Sequence, residues 1–308
     1  MWFIYALITT IAWGSADLFY KRGADEADRY SHLKTTMMVG VIMGIHAIVT
    51  LAVTGVHYNP VNLLKYLPVS AMYILSMTAG YFGLRYLELS ISSPIQNSSG
   101  AVTCILCLVF LKQTMDALSA AAVVIICVGV FFLGLLEKRQ MDKPGVQDRK
   151  YTIGFIAFLM PVLYCIIDSM GTFFDAYYLD DYLATPLVDI TEESLETVAN
   201  VSYELTFLFV AVLIFIYIHL IRKEKIRLTE QKDRGIAAIL ETAGQATYVY
   251  AMSGNGVIAA PMIASYSIIS LILSRIFLKE KLTKLQYAAV AAVIAGIALL
   301  GIVEGLTE

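Results

Sequence analysis

The chain has 308 residues, 58% of them hydrophobic and 15% charged, with a formal net charge of −3 and a mean hydropathy of +0.72. A domain that covers its own core with polar surface cannot be this apolar, so a soluble globular class is excluded and no nucleic-acid partner is expected. Apolar stretches of about 20 residues, each able to cross roughly 30 Å of hydrocarbon, predict ten helices at 2–20, 34–54, 66–86, 93–111, 118–136, 151–173, 203–221, 235–252, 257–278 and 283–303. The residue-by-residue alternation of a membrane barrel is missing from these runs, so the expected fold is an all-α polytopic membrane protein.

The first span begins at Met1 without a basic leader and runs into Lys21 and Arg22, which predicts a retained helix rather than a cleaved signal. It carries Trp13 and Asp17, and Lys21 lies four residues beyond Asp17, where an ordinary i,i+4 ion pair is the simplest reading. The third span contains Thr78-Ala79-Gly80 followed by Tyr81. The fourth opens on "PIQNSSG", in which Pro94 loosens the backbone and Gln96, Asn97 and Ser98 supply hydrogen-bonding groups. Cys104, Cys107, Cys127 and Cys165 fall inside spans, where thiols act as small hydrophobes, and scattered histidines give no metal set. No cofactor is expected, since neither a Walker loop nor a nucleotide fingerprint is present.

In the sixth span Tyr164, Asp168 and Thr172 form one polar and aromatic stripe. Residues 175–201 then read as an acidic outer loop, with Asp175, Asp180, Asp181, Asp189, Glu192, Glu193 and Glu196 and no Lys or Arg. The eighth span carries Glu241, with Gln245 and Tyr248 continuing its face at i+4 and i+7 and Gly244 thinning the helix beside it. Arg85 or Arg275 would be its partner if either reached inward. The ninth opens on "PMIASYS", where Ser265, Tyr266 and Ser270 match the polar group after Pro94. A charged side chain at a helix centre costs about 2.5–3.5 kcal/mol on insertion scales, so Asp17, Asp168 and Glu241 are expected to face a partner, a cavity or a proton.

The chain also repeats itself. Thr78-Ala79-Gly80 recurs as Thr242-Ala243-Gly244, Pro94 stands before Phe110-Leu111-Lys112 as Pro261 stands before Phe277-Leu278-Lys279, and Trp13 precedes Asp17 as Tyr164 precedes Asp168. Two five-span repeats follow, 1–140 and 151–308, joined by a basic cytoplasmic linker at 141–150; an odd span count turns the second repeat upside down relative to the first. Met77 holds the place in the first repeat that Glu241 holds in the second, so that acid is asymmetric.

The segment "AAPMIASYSIISLILSRIFLKEKLTKLQYAAVAAVIAGIALL" resembles the second half of EamA-type transporters of the drug/metabolite transporter superfamily, and "AWGSADLFYKRGA" resembles their first helix. Trp13-Gly14, the Glu280 turn and Gly296 are the most specific matches. The resemblance implies a ten-helix, inverted-repeat carrier of small metabolites with a central cavity and cytoplasmic termini. The first copy of the turn departs from it, reading Gln113 where the second has Glu280. Loop charges point the other way on orientation, since all basic residues but Lys65 and Lys112 follow odd-numbered spans and would place both termini outside.

These observations predict a multi-pass protein of the bacterial plasma membrane, in contact with lipid, compatible with a homodimer, and not an enzyme. The expected activity is secondary active or facilitative transport of a small cationic or zwitterionic solute by alternating access, with proton coupling as one form. The expected substrate contacts are Trp13, Tyr81, Asn97, Tyr164, Asp168, Glu241, Gln245, Tyr248, Ser265 and Tyr266, with Glu241, Asp168 and Asp17 as proton or cation carriers. Three alternatives stand beside it: an exporter of amino acids or lipophilic drugs through an aromatic cavity, an intramembrane enzyme using Asp17 and Asp168, and a non-transporting sensor.

Overall fold

The computed structural model describes residues 1–141, 154–253, 255–280 and 282–307, and among these no β-strand occurs. Helices α1 (Trp2–Gly23), α2 (Ser31–Thr54), a short α3 (Val61–Lys65), α4 (Leu67–Leu84), α5 (Leu89–Asn97), α6 (Ser99–Leu106) and α7 (Ala117–Met141) make up the first part. Helices α8 (Gly154–Asp180), α9 (Leu195–Phe215), α10 (Lys232–Met252), α11 (Gly256–Ala264), α12 (Ser267–Leu273) and α13 (Lys284–Thr307) make up the second. The expected basic linker, 141–150, lies outside the described residues except for Met141, which ends α7.

Among the described residues eight helical segments are long and apolar enough to cross a membrane. The apolar part of α7, Ala117–Leu133, is shorter. Helix α10 is not among the eight; it carries Lys232, Asp233, Arg234 and Glu241 in its first half. The bundle is apolar outside, and polar side chains are buried among the hydrophobic core inside. Ile4, Ile8, Ile11, Ile48, Phe131 and Phe209 are exposed, while Thr9, Asn62, Ser76, Ser92, Thr103 and Ser267 are fully buried. Lipid solvates the outer alkyl groups, and the polar groups must find partners within the bundle.

Helix pairing is led by α1 with α10, α2 with α9, α4 with α8, and α7 with α13, with α6 on α11 at the centre. At the α2–α9 crossing a β-carbon on Gly40 would stand 2.2 Å from the Phe207 carbonyl oxygen, so these backbones touch only because Gly40 has no side chain. The central helices are broken. Pro94 and Pro261 each sit sixth in a nine-residue helix, α5 and α11, and each removes an amide donor. The first break is covered by side chains: Asn97 Nδ2 donates to Ser93 O at 2.9 Å and Ser98 Oγ to Pro94 O at 3.0 Å.

Each broken helix is capped by a turn distant in sequence. The Glu280 carboxylate accepts the Leu89 and Ser90 amides at the start of α5, at 3.3 and 3.0 Å. Gln113, at the matching turn, accepts the Val257 amide at the start of α11 at 2.9 Å. The capping function is therefore duplicated even though the acid is not, because an amide oxygen accepts an N–H as a carboxylate oxygen does.

Two sequence expectations are corrected. The acidic loop does not run from 175 to 201: α8 continues to Asp180 and α9 begins at Leu195, with a 3₁₀ turn at Glu192–Ser194 before it. Asp175 is consequently a buried helical residue. Arg85 does not serve Glu241 either; its guanidinium donates to the Asp25, Glu26 and Arg29 carbonyls and clamps the connection between α1 and α2.

Gly40→Val is expected to part α2 from α9 and lower the melting temperature in detergent by about 3–6 °C, from an overpacking cost of about 1–3 kcal/mol. Gly235→Ala, whose new β-carbon would meet only Met38 Cε at 3.7 Å, is expected to leave it unchanged or slightly raised in the same fluorescence-based melt.

Candidate functional site

Helices α1, α4, α8 and α10 surround a central cavity, and the broken pair α5–α6 and α11–α12 cross beside it. Trp13, Tyr81, Asn97, Tyr164, Asp168, Glu241, Tyr248 and Tyr266 line it, together with Asp17. Gln245 and Ser265 fall outside the lining. Gln245 is buried on α10, and the Ser265 hydroxyl turns back onto the Met262 carbonyl at the end of α11.

Helix geometry sets these positions. Trp13 lies flat against α10 where Gly244 leaves room; a β-carbon on Gly244 would be 2.4 Å from the indole. There its Nε1 donates to the Glu241 backbone carbonyl at 3.1 Å, and its ring meets those of Tyr248 and Tyr266 at 5.1 and 6.0 Å. Tyr164 lies against Gly80 of α4 in the same manner, 2.8 Å from where a β-carbon would be. Both aromatic rings thus reach the cavity through a glycine notch in the facing helix.

The carboxylates are held mainly by hydroxyl groups. Asp17 accepts the Ser93 hydroxyl of α5 at 2.7 Å and the Ser270 hydroxyl of α12 at 2.6 Å, while Lys21 donates to the Leu84 and Leu87 carbonyls. Asp168 accepts the Ser99 hydroxyl at 2.7 Å. Glu241 accepts the Tyr20 hydroxyl at 3.3 Å, and the Tyr20 ring lies tilted against Tyr81 with ring centres 4.5 Å apart. Arg275, the other suggested partner of Glu241, bonds instead to the Tyr287 hydroxyl on the exposed surface. Among the described residues the cavity lining holds three acids and no Lys, Arg or His. The Tyr81 hydroxyl, buried in that lining, has no hydrogen-bond partner there.

Sequence reasoning missed part of the site. Tyr20, Tyr73 and Tyr203 also line the cavity, and Tyr73 donates to Thr172 at 2.9 Å and pairs with the Tyr248 hydroxyl at 2.7 Å. Tyrosine is common in this chain, with 19 copies, so composition alone could not separate these from lipid-interface anchors. Two further acids are buried: Asp175, which the sequence placed in the acidic loop, and Glu204, which it did not single out. Asp175 accepts the Tyr66 hydroxyl, and Glu204 is held by His46 Nδ1 at 2.8 and 2.9 Å and by Asn200 at 3.2 Å. Asp175 follows Thr172 on the stripe already visible at Tyr164, Asp168 and Thr172, and that periodicity was the available signal.

An aromatic, acid-lined cavity within a polytopic helical bundle fits a membrane transporter of small molecules. The chain matches the EamA-like transporter family model over residues 1–135 and 183–302, and it belongs to that family. It is thereby a member of the drug/metabolite transporter superfamily and an integral, multi-pass membrane protein. No curated protein matches it. A solved crystal structure of another protein shares the fold, with a TM-score of 0.66 over 99% of this chain and 98% of that one at 11% identity.

Gly244→Ala is expected to push the indole off α10. In a Trp2→Phe background, where Trp13 is the sole tryptophan, its fluorescence emission should shift to the red, whereas the same substitution at Gly235 should leave the spectrum unchanged.

Proposed function

We propose that this protein is a secondary transporter of a small organic cation or zwitterion, which it binds in the central cavity and releases by alternating access. The observation that carries the reading is the charge of the chamber: Asp17, Asp168 and Glu241 line it without a lining base. A net negative chamber walled by aromatic faces attracts an ammonium group twice, by charge and by the ring quadrupoles. In this reading Glu241 is the main counter-ion, since its carboxylate has only the long Tyr20 contact, whereas Asp17 already holds two hydroxyls. The same three acids are the groups at which a proton would compete with the substrate. Trp13, Tyr164, Tyr248 and Tyr266 wall the solute, and Asn97 and Tyr81 orient it.

Alternating access requires two halves that rock against each other. We assign these to five-helix repeats, 1–140 and 151–308, inverted with respect to one another, with α7 and α10 completing ten spans in a bacterial plasma membrane. Support comes from the helix pairs, which are unchanged when each span is exchanged for its repeat counterpart: α1–α10 becomes α8–α4, while α2–α9 and α7–α13 map onto themselves. Trp13 on Gly244 and Tyr164 on Gly80 are exchanged in the same way. Lys112 and Lys279 both end a π-helical turn in the left-handed region, with φ of 54° and 60°. Two related halves meeting at a central site are the plan of many secondary transporters.

The test is the current on a solid-supported membrane in proteoliposomes given choline, putrescine, lysine, uridine or citrate. Solute-dependent current is expected from one or more of the first three, reduced about tenfold or more in Glu241→Gln, since a charged hydrogen-bond partner is worth about 1.5–3 kcal/mol. Wild-type transport that Glu241→Gln retains would favour the aromatic-cavity exporter of amino acids or lipophilic compounds, a reading that the many lining tyrosines also suit.

A further inference from the structure

We propose that Asp175 is a proton station outside the solute chamber, through which the chamber exchanges protons with the end of the bundle formed by α3 and the C-terminus of α8. The inference rests on the transport reading above.

Asp168, Thr172 and Asp175 follow one face of α8 at i, i+4 and i+7, leading from the cavity toward the helix end at Asp180. Asp168 and Thr172 line the cavity, and Asp175 does not. Asp175 is 1% exposed, and its two oxygens are treated differently. Oδ1 accepts the Tyr66 hydroxyl, while Oδ2 is buried with no hydrogen-bond partner. An ionised carboxylate with a bare oxygen at this depth is costly, and a proton on Oδ2 removes that cost.

The surroundings suit a proton more than a larger ion. The titratable groups facing Asp175 are Tyr66 and Tyr73 from the α3–α4 side, Tyr248 of α10 and Tyr203 of α9. Helix α11 packs Gly256 against Ala176, and the extension of α6 brings Phe110 against Phe173. Lys65 meets α8 through its carbonyl, which accepts the Tyr178 hydroxyl at 2.7 Å. No Lys, Arg or His is among the groups facing the carboxylate in the described residues.

A hydroxyl series connects the station to the chamber. Tyr248 lies beside the Asp175 carboxylate and is 2.7 Å from Tyr73, which is 2.9 Å from Thr172. Such a series runs in either sense. With Oδ2 protonated the hydroxyls point from Asp175 toward Thr172, and with it ionised they turn back toward the carboxylate. Passing one proton from Oδ2 by way of Tyr248 and Tyr73 to Thr172, whose own proton enters the chamber, converts the first arrangement into the second; it requires Tyr248 to close onto Oδ2, which is unbonded at rest.

The experiment compares two modes in proteoliposomes, counterflow of labelled choline, putrescine and lysine, and accumulation of the same solutes driven by a pH gradient. Asp175→Asn keeps an acceptor for Tyr66 and is expected to hold counterflow within about twofold of wild type while gradient-driven accumulation falls about tenfold or more. Equal accumulation, or equal loss of both modes, would overturn the proposal, as would a wild type that exchanges solute without response to the gradient. A second measurement needs no mutation: dicyclohexylcarbodiimide, which modifies protonated carboxyls, should label Asp175 in the native protein more at about pH 6 than at about pH 8, unaffected by choline. Absence of label at Asp175 would refute the station. If the wild type fails counterflow of all three solutes, the transport reading fails, and the label still reports on Asp175.

Discussion

A carboxylate within this membrane-spanning bundle draws most of its hydrogen-bond donors from helices other than its own. The positions of the central helices follow from those bonds. Asp17 of α1 draws hydroxyls from α5 and α12, Asp168 of α8 from α6, and Glu204 of α9 takes the imidazole of α2. Each of these bonds fixes an axial register that apolar contact in lipid leaves loose, because side chains sliding past one another in hydrocarbon lose little. The hydroxyl donors are also neutral, so the acids are satisfied without being neutralised, and a cavity among them keeps its attraction for cations.

The helical class and most of the chamber were legible in the sequence. Acids in apolar spans are conspicuous, and the i+4 spacing of Trp13 with Asp17 and of Tyr164 with Asp168 places ring and carboxylate on one face. Gln245 was expected on the lining by the same spacing and lies off it, because a face some 100° wide does not say which edge turns inward. Asp175 was hidden by its acidic neighbours, which made a helix end look like the start of a loop. The partners of Asp17 and Glu241 were not legible, since the donors Ser270 and Tyr20 are more than 200 positions away, beyond local pattern. For Lys21, the local i,i+4 rule lost to the carbonyls left free where α4 ends.

The chamber is symmetric in its frame and asymmetric in its charge. Trp13 and Tyr164 enter through equivalent notches at Gly244 and Gly80, yet the residue three positions before the notch is Glu241 on one side and Met77 on the other. Met77 also lines the cavity, beside Tyr203, whose hydroxyl lies 3.9 Å from its sulfur. A solute with a charged end and an apolar end therefore meets a directional site rather than two equivalent ones. Specificity of this sort needs only one such difference between two otherwise similar faces.

The caps on the broken helices tie distant parts of the chain to one another. Glu280 closes the start of α5 and Gln113 closes the start of α11, so each half carries the stopper for the other half's interrupted helix. Either part of the chain alone would leave its broken helix open in the membrane, where no water replaces a missing partner. Loss of one turn therefore unseals a helix laid down far away in the sequence, and neither part can be cut away without exposing amides in the other.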